Sequence, residues 1–502
     1  MVENKRWYPL YHVAAPVGWI NDPNGFCTYK GQYHLFYQYH PYSPQWGPMH
    51  WGHVVSKDLV HWEHLPIALK PTEPYEKEGC FSGSAIERDG KLYLIYTGNA
   101  EVQTQNLAVS DDGINFEKSP DNPIIKAPES DEIRGADFRD PTVWEHDGKF
   151  YSVIASKVHG GDFRDPKVWE HDGKYYAVIG SKTTDGSHGQ ALIYESDDLK
   201  NWTFKSIAAR AKENEGTMWE CPNFAKIGGQ DVLIISPMGV NPVGNKFLNA
   251  VDSGYMIGKI NYKDGIFTRG ALDLLDYGTD FYAPQLTQLA DGRCVMIGWF
   301  AMWFADMPEQ ADGWAGTMTV PRELKIKKGK LFSVPIEELE SLRLDGVTHN
   351  KLTITEPTKL DGVEGTTGEL IVDVNLAKSD DFSISVRAGE DEQTLLTYDK
   401  ATSTFAVDRT NSGEGPKDKR EVQLSPANTL KIRAFIDRSS VEVFLNGGEY
   451  VFSMRIYPKE TSQGIIFASR DGKLILNEVS FYKLAEGIPQ PEGSQPDRQI
   501  AS

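Results

Sequence analysis

Along most of the chain, apolar and polar residues alternate in short runs, and each run is introduced by a turn signal. A glycine followed by alternating aromatic and aliphatic positions recurs at Gly31-Gln-Tyr-His-Leu-Phe-Tyr37, Gly90-Lys-Leu-Tyr-Leu-Ile-Tyr96, Gly148-Lys-Phe-Tyr151 and Gly173-Lys-Tyr-Tyr176. Weaker copies follow at Gly229 and Gly292. Alternation with a period of two after a turn predicts strands, each half-buried. A second phrase, Ser-Lys-Asp or Ser-Asp-Asp, recurs at Ser56, Ser110 and Ser196. The repeat of about 55 to 63 residues, each holding several short strands, predicts an all-β fold built on a five-bladed β-propeller.

One interval breaks the period. Asp137–Gly161 and Asp162–Gly186 are near-copies, identical at 18 of 25 positions, and both contain Asp-Phe-Arg-Asp-Pro. Removing one copy restores the spacing between Ser110 and Ser196. Half a blade has too few strands to bury its own face, so the expectation is a tandem duplication inside one blade. The displaced copy is expected as a surface hairpin near the mouth of the propeller.

Beyond Pro335 the texture changes. Ile336–Arg343 predicts a short helical connector, with Glu337, Glu338 and Glu340 near its start, where the helix dipole favours acids. Regularly spaced strands then run from about Thr348, for example Leu370-Ile-Val-Asp-Val374 and Phe382-Ser-Ile-Ser-Val386, as in a β-sandwich. The expected division is a propeller over 1–335, a linker over 336–347 and a sandwich over 348–486. The tail, 487–502, is rich in Pro, Gln and Ser and is expected to fray.

A chain of 502 residues suits two domains better than one core. Its net charge of −19 makes nucleic acid or an anionic membrane an unfavourable partner. No run of about 18 apolar residues offers a membrane span, and the first residues lack an apolar leader. Cys27, Cys80, Cys221 and Cys294 have neither metal-type nor redox-type spacing. Reduced thiols in a cytoplasmic protein are the expectation.

Three short motifs carry candidate chemistry. The first, Trp19-Ile-Asn-Asp-Pro-Asn-Gly25, reads as a tight loop, because Asn-Asp-Pro interrupts helix and central strand alike. The others are Phe163-Arg-Asp-Pro166 and Trp219-Glu-Cys-Pro222. In this order, and over nearly the whole chain, the motifs resemble glycoside hydrolase family 32, the invertases and β-fructosidases. The run Ile436–Leu445 is similar to the C-terminal β-sandwich of the same family.

The resemblance implies a retaining β-fructofuranosidase that uses no cofactor and no metal. Asp22 is then the nucleophile and Glu220 the acid and base, with carboxyl groups about 5–5.5 Å apart. A third acid binds sugar hydroxyls and stabilises the transition state. Asp140 and Asp165 both fit it; Asp165, with Arg164, is the first choice, because its copy runs directly into the next strands of the blade. Asn21, Gln38, Trp46, Phe81, Ser82, Tyr282 and Trp314 match positions that bind the sugar or rim its pocket. For each aromatic among them, blade core is the competing explanation. Cys221 is expected as a small buried residue. The pairs His50/His53 and His61/His64 suggest zinc by spacing alone, but no cysteine or carboxylate cluster completes a site.

The expected partner is a small sugar: sucrose, sucrose 6-phosphate or a short fructo-oligosaccharide. Transfructosylation shares the same two acids. A binding protein that has lost catalysis is the alternative from another class. The sandwich is expected to brace the propeller, with homo-oligomer contacts or glycan binding as its other uses.

Overall fold

The computed structural model describes residues 2, 4–88, 90–100, 104–122, 125–126, 142–146, 149–153, 163–172, 174–183, 186–196, 203–470 and 472–489. Five antiparallel sheets form the propeller. Their inner strands are Gly18–Tyr29, Gly79–Arg88, Phe163–His171, Met218–Ile227 and Tyr282–Gln288. Glycine turns join inner to second strands as the repeat predicts: Gly31, Gly90, Gly229 and Gly292 have φ between 75° and 90°, which residues with a Cβ avoid. The Ser-x-Asp phrases close turns further along the blade, with Ser56 donating to Asp58 and Ser110 to Asp112. Trp314–Ala315 pairs in parallel with Gly18 and Trp19, so a late segment of the chain closes the ring on the first blade.

The inner strands share one irregularity. The ladder of the first blade skips Asn21 and Asp22 between the Ile20 and Pro23 pairs. It skips Asp165-Pro166 in the third, Cys221-Pro222 in the fourth and Ala283-Pro284 in the fifth. In the second blade it skips Ser82. A bulge bends the strand and re-aims its side chains, and a proline there forfeits no ladder bond. Trp19–Gly25 is therefore part of a bulged strand and not a free loop. Cys221 and Ala283 take the left-handed conformation, both with φ 47°. Cys221 is half-buried at its bulge, not sealed in the core.

The two copies of the near-repeat have different fates. The second copy supplies the inner strand Phe163–His171 of a four-stranded blade. The first forms a separate two-stranded sheet, Thr142–His146 with Lys149–Val153. Its leading strand lies against the inner strands of the second and third blades. The hairpin thus stands between two blades and is no appendage on the outer surface.

After a 3-10 turn at Glu337–Leu342, a six-stranded and a five-stranded sheet pack face to face. The first of these strands, Arg343–Ile354, starts earlier than Thr348. Leu370, Val372, Ile384, Val386, Ile432 and Phe467 fill the space between the sheets. The start of the tail is docked: Gly487 accepts from Trp62 N at 2.7 Å, and Ile488 is 1% exposed in the core of the first blade. Residues 490–502 lie outside the described residues.

Propeller and sandwich meet across buried charges. Protonated His12 donates from Nδ1 to Asp437 at 2.8 Å and from Nε2 to Glu442 at 2.9 Å, with all three side chains fully buried. Arg322 donates to Asp276 at 2.8 Å and also pairs with Glu442. Arg409 reaches Asp280 at 2.8 Å. Burial opposes the charge on His12, but its bonds to Asp437 and Glu442 outweigh burial and raise its pKa.

This stabilisation is complete below the free imidazole value of about 6.5 and is lost as pH rises through the raised folded value. Melting temperature should fall across that window. In His12→Gln the alkaline fall should flatten, and the variant should lose ~3 kcal/mol at neutral pH, because two buried carboxylates lose a partner. Denaturant titrations at a series of pH values measure both effects, and an unchanged alkaline slope would assign the fall to another group.

Candidate active site

The inner strands of the first, second and fifth blades meet in one aromatic cluster. Trp19, Met49, Tyr282, Ala283, Trp299, Ala301 and Ala315 form its buried part, and Phe81 and Trp303 pack on it from the half-exposed side. The cluster brings together residues next to both candidate carboxylates. Trp19 lies three positions before Asp22, and Tyr282 reaches Glu220 directly.

On the first blade, Asp22 is half-buried at its bulge. The Trp19 indole donates to Asn21 Oδ1 at 2.8 Å, and both residues are nearly sealed, at 6% and 5% exposure. Asn21 thus fixes the indole beside the nucleophile position. Gln38 is buried and donates from Nε2 to the Cys80 carbonyl at 3.3 Å, which steadies the start of the Phe81-Ser82 segment. Trp51 and Thr97 hold that segment from the other side, donating to the carbonyls of Phe81 and Ser82 at 3.0 and 3.1 Å. Trp46 is half exposed and stands edge-on to Phe81 with ring centroids 6.1 Å apart.

On the fourth blade, Glu220 is half-buried, and the Tyr282 hydroxyl donates to its Oε2 at 2.8 Å. Burial first, then the charges of Glu220, Cys221 and Asp22, push the Tyr282 phenol well above its usual pKa. The inner strands that carry Asp22 and Tyr282 pack on each other. Tyr282 is a buried partner of the acid, not an open rim residue.

Trp314 departs further from expectation. It is 1% exposed and packs edge-on to Tyr8 at 5.2 Å, with Arg455 over its ring at 5.4 Å. Its bulk serves the interior, whereas its backbone serves the site by pairing with the first inner strand. The sequence reading missed Trp299 and Trp303, which lie 5.9 Å from Trp19, the latter stacked on it. Their only sequence signal is three tryptophans within 299–314. Of the third-acid candidates, Asp165 lies on the bulge of the third inner strand, and Asp140 lies outside the described residues. The histidine pairs serve packing and turns: His53 stacks on Phe36 and bonds His34 at 3.0 Å, while His61 bonds Asp58.

Tyr282→Phe keeps the ring in the cluster and removes one hydrogen bond to the acid. It should fold with an unchanged melting temperature and lose ~10-fold in kcat/KM, the size of a misoriented general acid. Wild-type kinetics in a folded variant would mean that Glu220 needs no such support.

Residues 12–162 and 157–335 match the Glycosyl hydrolases family 32 N-terminal domain, and 338–483 match the family's C-terminal domain. The two N-terminal matches meet at the junction of the near-copies. A raffinose invertase of Escherichia coli is 37% identical over 95% of this chain and 95% of its own length. A sucrose-6-phosphate hydrolase of Zymomonas mobilis is 37% identical over 93% of this chain and 90% of its own. A Bombyx mori GH32 beta-fructofuranosidase, solved as a mutant with sucrose, superposes with a TM-score of 0.76 at 35% identity, over 97% of this chain and 96% of that one. The five blades, the sandwich and these likenesses lead to one conclusion: the chain belongs to glycosyl hydrolase family 32 and is a glycoside hydrolase of the β-fructofuranosidase type.

Proposed function

We propose that Asp22 and Glu220 hydrolyse terminal β-D-fructofuranosides with retention, on sucrose, sucrose 6-phosphate or short fructo-oligosaccharides. The observation that carries this reading is the 2.8 Å bond from Tyr282 to Glu220, on an inner strand that packs against the one whose bulge holds Asp22. The Asp22 carboxylate attacks the anomeric carbon while Glu220 protonates the departing glycosidic oxygen. Glu220, now ionised, takes a proton from water, which attacks the same carbon and releases Asp22. Asn21 and Gln38 brace this centre, and Trp46 with Phe81 and Ser82 forms its sugar-facing edge.

The third acid in this reading is Asp165, with Arg164 beside it. Its support is the bulge, which falls at the same place in its strand as those of the Asp22 and Glu220 strands. The near-copy at 137–161 is an insertion that leaves the second copy to complete the blade. The propeller over 1–335 carries catalysis, and the sandwich over 348–486 braces it. The protein works in the cytoplasm, with its four cysteines as free thiols.

Asp22→Asn and Glu220→Gln should each lose ~1,000-fold or more in kcat on sucrose while keeping the fold. Asp165→Asn should be severe and Asp140→Asn mild; the reverse ranking would move the third acid to the first copy. Chromatography of free glucose and fructose reads all four. Equal release marks hydrolysis, whereas glucose in excess with longer oligosaccharides marks transfer. If sucrose is inert, sucrose 6-phosphate is the next substrate, and inertness toward both it and inulin-type oligomers would sink the enzymatic reading.

A further inference from the structure

We propose that Arg455, on the sandwich, is a positioning residue for the nucleophile strand, acting through Glu309. Arg455 is 2% exposed on the strand Tyr450–Arg455. Its guanidinium pairs with Glu309 at 3.2 Å and donates to the Phe300 carbonyl at 3.4 Å. The same group lies over the rings of Trp314 and Tyr457 at 5.4 and 5.6 Å, and Ser439 accepts from its Nε at 3.1 Å. One arginine therefore holds both ends of the segment 300–314, whose regular structure is the 3-10 turn Pro308–Asp312 and the start of the strand Trp314–Ala315.

That segment leads to Asp22 by two routes. Glu309 is fully buried and accepts from the Gly316 amide at 3.4 Å. Gly316 lies so close to the nucleophile strand that a Cβ there would stand 2.4 Å from the Ile20 carbonyl, two residues before Asp22. The adjoining Trp314–Ala315 pairs with Gly18 and Trp19, and Gly18 donates to the Gly313 carbonyl at 2.8 Å. The second route is aromatic: Trp303, in the middle of the segment, stacks on Trp19, whose indole is bonded to Asn21.

The middle of the segment is held in a costly conformation. Phe304 is 95% exposed and has φ 66°, in the left-handed region that bulky residues avoid. Such a conformation persists only when surrounding contacts over-determine it, and the anchors at Phe300, Glu309 and Trp314 do so. At the apex, Gln310 donates to the Pro44 carbonyl, tying the segment to the loop that bears Trp46. Two rigid bodies thus set one active-site wall: the first blade from inside and the sandwich from outside.

This inference rests on Asp22 as nucleophile, so wild-type turnover of sucrose is measured first, and tryptophan emission gives a readout independent of turnover. The variants are Arg455→Lys, Arg455→Met and Glu309→Gln, with Lys330→Met as the control. Lys330 pairs with Glu449 across the same two domains and bonds Tyr450, at the opposite end of the strand from Arg455. Well below each melting temperature, the Arg455 and Glu309 variants should lose ~10-fold in kcat/KM, chiefly through KM, with red-shifted tryptophan emission. Lys330→Met should keep wild-type kinetics and emission. In a Glu309→Gln background the further loss of Arg455→Lys in kcat/KM should stay under ~2-fold, because coupled residues are not additive. Wild-type kinetics in folded Glu309→Gln would overturn the proposal. So would fully additive losses in the Glu309 background. If Arg455→Met fails to fold, Arg455→Lys and Glu309→Gln still decide the matter.

Discussion

The site depends on one constraint of backbone geometry, the bulge near the start of each inner strand. A regular ladder alternates side chains between the two faces of a blade, so a carboxylate on it points toward a neighbouring blade. Two residues set against one bend the strand and re-aim the side chains in and beside the bulge: Asp22 lies within one, and Glu220 and Tyr282 are the last paired residues before theirs. Proline follows or completes the bulge at Pro23, Pro166, Pro222 and Pro284, where the missing amide costs no pairing. Asp22, Glu220 and Tyr282 are far apart in sequence, yet each is held by its own rigid sheet. Reacting groups fixed in this way need little reorganisation when substrate arrives.

The second constraint is the charged seam between propeller and sandwich. An apolar interface of the same size would bind without fixing how the two bodies are turned. His12, Arg322, Arg409 and Arg455 each demand particular carboxylates, and a shifted docking would leave buried charge unpaired. Burying these ions adds little net stability, since desolvation offsets most of the attraction. Its effect is to select one orientation. That selection matters because the seam runs directly behind the segment 300–316.

Much of this was legible in the sequence where the signal was local. The glycine turns marked the inner hairpin of each blade, because a left-handed turn and the alternating strand behind it are short-range features. The order of the three motifs revealed the family. Where packing decided, the sequence misled. Asn-Asp-Pro looked like a loop, since Pro and Asp oppose a regular strand, but a bulge accommodates both. Trp314 looked like a pocket-rim residue, yet its ring is buried under Arg455, a residue 141 positions away (455 − 314). Trp303 and Glu309 gave no local sign of their importance, because their partners come from the first blade and from the sandwich.

The near-copy tests how much disturbance this architecture absorbs. Its hairpin lies between the inner strands of the second and third blades. The fourth inner strand still packs on the fifth, the fifth on the first and the first on the second. Asp22, Glu220 and Tyr282 all sit on this contiguous side of the ring. The bond between Tyr282 and Glu220, and the anchoring of the first inner strand by Trp314–Ala315, lie wholly within it. The insertion therefore leaves the Asp22, Glu220 and Tyr282 strands in their mutual setting and concentrates its effect on the second and third blades. An insertion between the fourth and fifth blades would instead have separated Glu220 from the phenol that supports it.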